Sequence, residues 1–336
     1  VNSSKTTSTL SDTIEQTIKE SKTRFTLILG SGYHRQALGK NSTLSNWELL
    51  LAPLSKKSLS SNYILEFENI IAQQTRHQVK GNSIKANEIE KIELNHIIKR
   101  IKHEQQWVLD EQTRFNYPDI FNANLISDVI SLNFDTIAEQ LYKSKCNIIN
   151  KGEFQNTSSF EIRTPKGSKS ESFISTNTSY REVKNKDGQS IRFWYPHGSI
   201  HKPQHIVLGV SKYASLISKT QEIRSNYKSR EVEHLKKETV DFDKIDLTWF
   251  SQILNQPVLI LGASMSEMEW AMWTAFVHRK RNFARQEMKR YETPVFMMLD
   301  KNQQLTSPQN EWFQPLFENM DFNEQWRKLE EIINSR

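Results

Sequence analysis

Apolar residues along the chain gather in short runs that each stop at small or polar residues, with longer stretches of helical spacing between them. Phe25–Leu29 is such a run and stops at "GSG", Gly30–Gly32. The run over Asp128–Asn133 stops at "NFD", Asn133–Asp135, and "FWYPHG" carries another into His197 and Gly198. Pro257 opens a run that ends in "LGAS", Leu261–Ser264, and Val295–Leu299 forms the last. Short continuous apolar runs bounded by turn residues fit buried parallel strands. His205–Gly209 predicts one further short strand, and Asp187-Gly188 predicts the hairpin turn that delivers the strand ending at His197.

The intervening stretches read as helices. Residues 62–115 carry Leu94, Ile97, Ile98, Ile101 and Val108 at helical spacing, with Lys99, Arg100 and Lys102 on the solvated faces. An all-helical insertion between the first two strands is therefore expected. Helices are also expected around Trp47–Leu51, over Thr136–Tyr142, across the charged stretch 212–247 and from Glu267 to about Arg290. A closing helix carries Phe322, Trp326, Leu329 and Ile333 on one stripe. Asp12 and Glu15 have the spacing of a capping box before a short helix with Ile14 and Ile18. Strands alternating with helices predict an α/β fold, a Rossmann-like parallel sheet flanked by helices, with an α-helical insertion. The expected plan is an N-terminal lead and short helix over 1–22 and one nucleotide-binding domain over 23–336. That domain carries the helical insertion at about 62–115 and a polar insertion at about 150–190.

Composition narrows the chemistry. The 336 residues carry 45 basic and 39 acidic side chains, a net charge of +6, which is compatible with a polyanionic partner without demonstrating one. The single cysteine, Cys146, excludes a disulfide within the chain and a multi-cysteine zinc site, and favours a reducing, cytoplasmic setting. No stretch approaches the roughly 18 uninterrupted apolar residues of a membrane span, so no membrane association is expected.

Ligands of open α/β sheets bind beyond the carboxyl ends of the strands, where these motifs lie. Gly30, Ser31 and Gly32 suit backbone N–H groups held against a pyrophosphate. Arg35 replaces the third glycine of a dinucleotide fingerprint and no acidic residue closes a second strand at the expected distance, which disfavours a dehydrogenase. Arg35 is instead a candidate phosphate contact. An Asn133 amide can orient a ribose hydroxyl and a water molecule, and an Asp135 carboxylate can accept a hydrogen bond from a carboxamide. Their structural alternative is a turn at Asn133 and a helix cap at Asp135.

His197 titrates near neutrality and suits general-base work. His197, His201 and His205 are spaced by four, but Pro203 breaks the helix that a metal site would need, and no metal is expected. Gly262, Ala263 and Ser264 are placed to touch an adenosine ribose or phosphate, whereas Ser266 and Glu269 read as a capping box. The helix that follows is apolar on two faces, Met268, Met272 and Phe276 on one and Trp270, Trp273 and Val277 on the other, and is expected to be buried. Arg279, Lys280, Arg281, Arg285 and Arg290 read as a solvated cluster at its far end, favoured by the helix dipole.

Taken together and in this order, the motifs resemble the sirtuin family. Gly30–Gly32 is similar to its Gly-Ala-Gly phosphate loop, Asn133–Asp135 to its Asn-Ile-Asp segment, His197-Gly198 to its His-Gly, and Gly262–Ser264 to its Gly-Thr-Ser loop. The zinc-ribbon cysteines of protein-deacylating sirtuins are absent, and the insertion at 62–115 is foreign to those enzymes. Both features resemble the sirtuin-like effectors of bacterial antiphage defence. That resemblance implies NAD as substrate, cleavage of its nicotinamide N-glycosidic bond, and depletion of NAD on activation. It also implies a homo-oligomer and a partner such as a HerA-type ATPase, an Argonaute-like protein or a nucleotide-sensing subunit. In that frame Gly30–Gly32 and Arg35 hold the pyrophosphate, Ser264 lies near the adenosine ribose, Asp135 orients the carboxamide, Asn133 the water and ribose, and His197 is the base. Two readings of other classes stand beside it: a defence subunit directed to nucleic acid through the basic helix ends, and a catalytically silent sensor of NAD or ADP-ribose.

Overall fold

The computed structural model describes residues 17–18, 24–55, 59, 62–78, 86–111, 113–146, 180–235, 248–266, 269–283, 293–299, 305, 311–317 and 320–335. Seven strands form one sheet: β1 (Phe25–Leu29), β2 (Ile126–Ser131), β3 (Tyr180–Lys184), β4 (Ser190–Trp194), β5 (Val258–Leu261), β6 (Val295–Met297) and β7 (Gln314–Pro315). Their order is β3-β4-β2-β1-β5-β6-β7, parallel throughout except for the β3–β4 hairpin. Nine α-helices accompany them among the described residues: α1 (Gly32–Leu38), α2 (Trp47–Leu51), α3 (Tyr63–Gln78), α4 (Ala86–Asp110), α5 (Ile137–Lys145), α6 (Val210–Leu235), α7 (Trp249–Asn255), α8 (Trp270–Phe283) and α9 (Phe322–Asn334). The fold is α/β and Rossmann-like, as the alternation of runs predicts.

The central strands are buried because both faces of the sheet are covered, and the polar groups they carry are paired inside it, Asp128 of β2 accepting from Arg192 and from the Trp194 indole N–H of β4. Successive side chains point to opposite faces. Phe25, Leu27 and Leu29 accordingly join Val129, Phe193 and Leu259 in a core closed by Tyr142 of α5 and by Trp326 and Leu329 of α9. Ile28, Ile130, Trp194 and Ile260 face the other way, against Trp249 and Phe250 of α7 and Met272 and Phe276 of α8. A third core belongs to the insertion: Leu50, Phe67, Ile97 and Ile101 pack with Phe134, Ile206 and Leu208, the segments that leave β2 and follow β4.

Several expectations are corrected. The insertion is helical as expected, made of α3 and α4, but Arg100 does not serve solvent alone, since it donates to the carbonyls of Leu49 and Leu50 and ties α4 to α2. His205–Gly209 is not a strand. Pro203–His205 makes one 3-10 turn, and Val207 N–H bonds to His197 O within the same loop, 2.8 Å away. Trp270 is 59% exposed, and Trp273 and Val277 on the same face are only half-buried, so α8 is buried through Met272 and Phe276 and not on both faces. Arg279 is no surface cation: it is buried and donates to the carbonyls of Ile253, Gln256 and Thr293, clamping α8 to two loop ends. The Asp12–Glu15 cap, residues 150–179 of the polar insertion, Met268, Arg285 and Arg290 lie outside the described residues.

Candidate functional site

Strands β4, β2, β1 and β5 are neighbours and run parallel, so their carboxyl ends share one edge. His197 follows β4, Asn133 follows β2, Gly30–Gly32 follow β1 and Gly262–Ser264 follow β5. The four loops are bonded one to the next. Ile200 N–H donates to Phe134 O at 2.9 Å, Asn133 Nδ2 to Gly30 O at 3.1 Å, Gly30 N–H to Leu261 O at 3.0 Å and Gly32 N–H to Gly262 O at 2.8 Å. The glycines allow this. A Cβ on Gly32 would lie 2.5 Å from Gly262 Cα, and Gly262 itself takes φ +63°.

The same bonds change what the glycine loop offers a ligand. Two of the donors expected to meet a pyrophosphate, the N–H groups of Gly30 and Gly32, are used inside the fold. Ser31 N–H has no bonded partner among the described residues. Arg35 lies with its guanidinium over the Phe322 ring of α9, 5.6 Å from the centroid. Across the junction Ala263 is buried and Ser264 is exposed.

Asp135 is buried and does two things. Its Oδ1 accepts from Ile137 N–H at 3.0 Å, the local cap at the start of α5. Its Oδ2 stands 2.9 Å from Nε2 of His34, a buried residue of α1 that the motif reading did not single out. Nδ1 of His34 lies 3.0 Å from the Tyr117 hydroxyl. Burial, then the charge of Asp135, raises the Tyr117 hydroxyl far above its ordinary range, so that it keeps its proton.

His197 is buried too, with Nε2 3.4 Å from Glu269 Oε2. The backbone N–H of Glu269 bonds to Ser266 O at 3.0 Å, but the side chain turns to His197 and not back to a cap. Two tyrosines flank the pair. The Tyr213 ring of α6 lies 6.3 Å from the imidazole, and Tyr63 opens α3. Burial first and the Glu269 charge second push both hydroxyls well above the ordinary tyrosine range.

The loop that carries His197 is anchored from below. Glu139 of α5, fully buried, takes Lys143 Nζ at 2.6 Å, Arg181 Nε at 2.9 Å and the Tyr195 hydroxyl at 3.1 Å. His201 Nε2 stands 3.8 Å away. Burial alone would raise this carboxyl, but His201, Arg181 and Lys143 outweigh it and hold the group down at about 2. His197 and His201 thus face different carboxylates. Among the described residues no three His, Cys, Asp or Glu side chains stand where they could share a metal ion.

A small cleft opens beside Asn133, Phe134 and Asp135, walled by Thr43, Leu44, Trp47 and Leu50 and by Ile101 of α4. Trp47 stacks on Tyr63 with centroids 4.5 Å apart and meets Phe134 edge-on at 5.0 Å. Glu104 of α4 accepts from Ser42 Oγ and Thr43 N–H, and Gln105 accepts from Thr136 N–H at 2.8 Å. The glycine loops and His197 lie outside this lining. No protein-family model matches the chain and no curated protein matches it significantly. No helix among the described residues is long and apolar enough to cross a membrane.

Proposed function

We propose that the chain is a sirtuin-like NAD+ glycohydrolase, which cleaves the nicotinamide N-glycosidic bond to give nicotinamide and ADP-ribose. The observation that carries this reading is the cleft at the end of β2. Its walls are mostly apolar, and Asn133 and Asp135 are among its few polar groups, a make-up that small-ligand sites share. The nicotinamide end of the substrate enters there with its carboxamide toward Asp135, while the ribose lies against Asn133. The phosphates then cross the junction of the first and fifth strands, where Ser31 N–H and Ser264 are the groups left to meet them.

The C1′–N bond breaks with its electron pair leaving on nicotinamide, and the sugar acquires oxocarbenium character. Fixed dipoles such as the Asn133 amide stabilise that charge as it develops. A water oxygen bonds to C1′ and its proton passes to His197, a contribution of about 10²- to 10⁴-fold for a positioned base. Activation by a partner protein or nucleic acid, assembly into a homo-oligomer and depletion of NAD in antiphage defence belong to the same proposal.

The test is to incubate purified protein with NAD, alone and with candidate activators, beside His197→Ala and Asn133→Ala. Nicotinamide release by the parent and its fall by at least about 10²-fold in both variants is the expected result. Release that persists in His197→Ala removes the imidazole from the mechanism. Saturable NAD binding without turnover under every activator supports the sensor reading instead.

A further inference from the structure

We propose that Glu269 is the positioning partner of His197: its carboxylate fixes the imidazole with the proton on Nε2 and compensates the positive charge when the ring accepts a second proton. This deepens the glycohydrolase reading and rests on it for the chemistry, but the pairing itself is a property of the folded chain. The two atoms, His197 Nε2 and Glu269 Oε2, are 3.4 Å apart, and each is buried without any hydrogen-bonded partner among the described residues. A buried imidazole and a buried carboxylate that are otherwise unsatisfied are costly to hold apart. Hydrogen bonds of catalytic groups are often long in ligand-free enzymes and tighten when substrate arrives.

The surroundings point the same way. Tyr63 and Tyr213 keep their protons beside Glu269, so they supply neutral hydroxyls and no competing anion. The Tyr213 hydroxyl is itself held by Trp270 N–H at 3.2 Å, immediately after Glu269, which fixes the start of α8 against α6. The pair also joins the loop after the fourth strand to the loop after the fifth, strands separated in the sheet by the second and first. It therefore spans the edge along which the substrate is proposed to lie. In the hydrolytic step the water proton moves to the free Nδ1 of His197, the imidazolium forms beside the Glu269 carboxylate, and the proton later returns to solvent. An acidic residue that orients the base and balances its charge is the third member of many nucleophile–base arrangements.

Two variants separate this role from a simple latch. Glu269→Leu removes the acceptor, and Glu269→Gln keeps an acceptor of the same shape without the charge. Long-range ¹H–¹⁵N spectra of protein labelled in histidine, assigned with His197→Gln, are expected to show the proton of His197 on Nε2 in the parent and in Glu269→Gln. In Glu269→Leu that preference is expected to be lost. A proton on Nδ1 in the parent, or a Leu variant indistinguishable from it, overturns the pairing. In turnover, Glu269→Gln is expected to lower kcat by about 10²-fold with KM within about twofold, the split of a group that acts only as charge develops. A Gln variant with the parent's kcat overturns the charge-balancing role. If the parent releases no nicotinamide under any activator, the glycohydrolase reading falls, and the tautomer spectra alone still decide whether Glu269 holds the ring.

Discussion

The imidazole of His34 and the carboxylate of Asp135 face each other at 2.9 Å with both side chains buried, so the residue that lines the cleft is held by one from the helix after the first strand. His34→Leu leaves that carboxylate oxygen without its partner and is expected to lower the unfolding free energy by about 2 kcal/mol. Adding Asp135→Asn to it recovers part of the loss, because the uncompensated charge is gone. Urea unfolding of the parent, both single variants and the double variant checks the cycle, and an additive result denies the pairing.

Gly32→Ala places a methyl group 2.5 Å from Gly262 Cα, with main chain and not a flexible side chain in the way. The two loops must part, at a cost of about 2 kcal/mol. Thermal unfolding reads that cost, and nicotinamide release is expected to be lost even where the variant folds.

Glu139 links stability to acid. Its folded-state carboxyl sits at about 2, below the ordinary 4.5, so the stabilisation it gives is complete above 4.5 and disappears as pH falls toward 2. Glu139→Gln removes this contribution. The stability difference between parent and variant, from denaturant curves, is expected to be largest near neutrality and to shrink across that window. A difference that is the same at both ends contradicts the depressed carboxyl.

Trp47→Leu removes an aromatic wall of the cleft that stacks on Tyr63. On the proposed reading the KM for NAD rises about tenfold, worth about 1.4 kcal/mol of binding, with kcat little changed. Initial rates of nicotinamide release over a range of NAD concentrations separate the two constants.

The sheet was legible where its strands are buried on both faces and mostly apolar, as in Phe25–Leu29 and Val258–Leu261. Strand β3 showed itself only through its turn at Asp187-Gly188, because Tyr180–Lys184 is half polar at the sheet's edge, and β7 escaped because Gln314–Pro315 is only two residues long. At the edge that carries the site, glycines and an Asn-x-Asp announce themselves by type. His34 and Glu269 do not. Tyr117, which fixes His34, is 83 residues away along the chain, and Glu269 stands at the spacing of a cap from Ser266 while its side chain is used elsewhere. Arg279 misled in the same way, since a cation near a helix end is ordinarily solvated, whereas here carbonyls of Ile253, Gln256 and Thr293, remote along the chain, accept from it inside the fold.

Glu104 and Gln105 are adjacent in one helix yet hold different pieces of chain, the turn at Ser42–Thr43 on one side and Thr136 at the root of α5 on the other. The inserted helix is thus a lever with two points of grip. Both walls of the opening are fastened to this one segment, so its width is set by where the inserted helix sits and not by either wall alone.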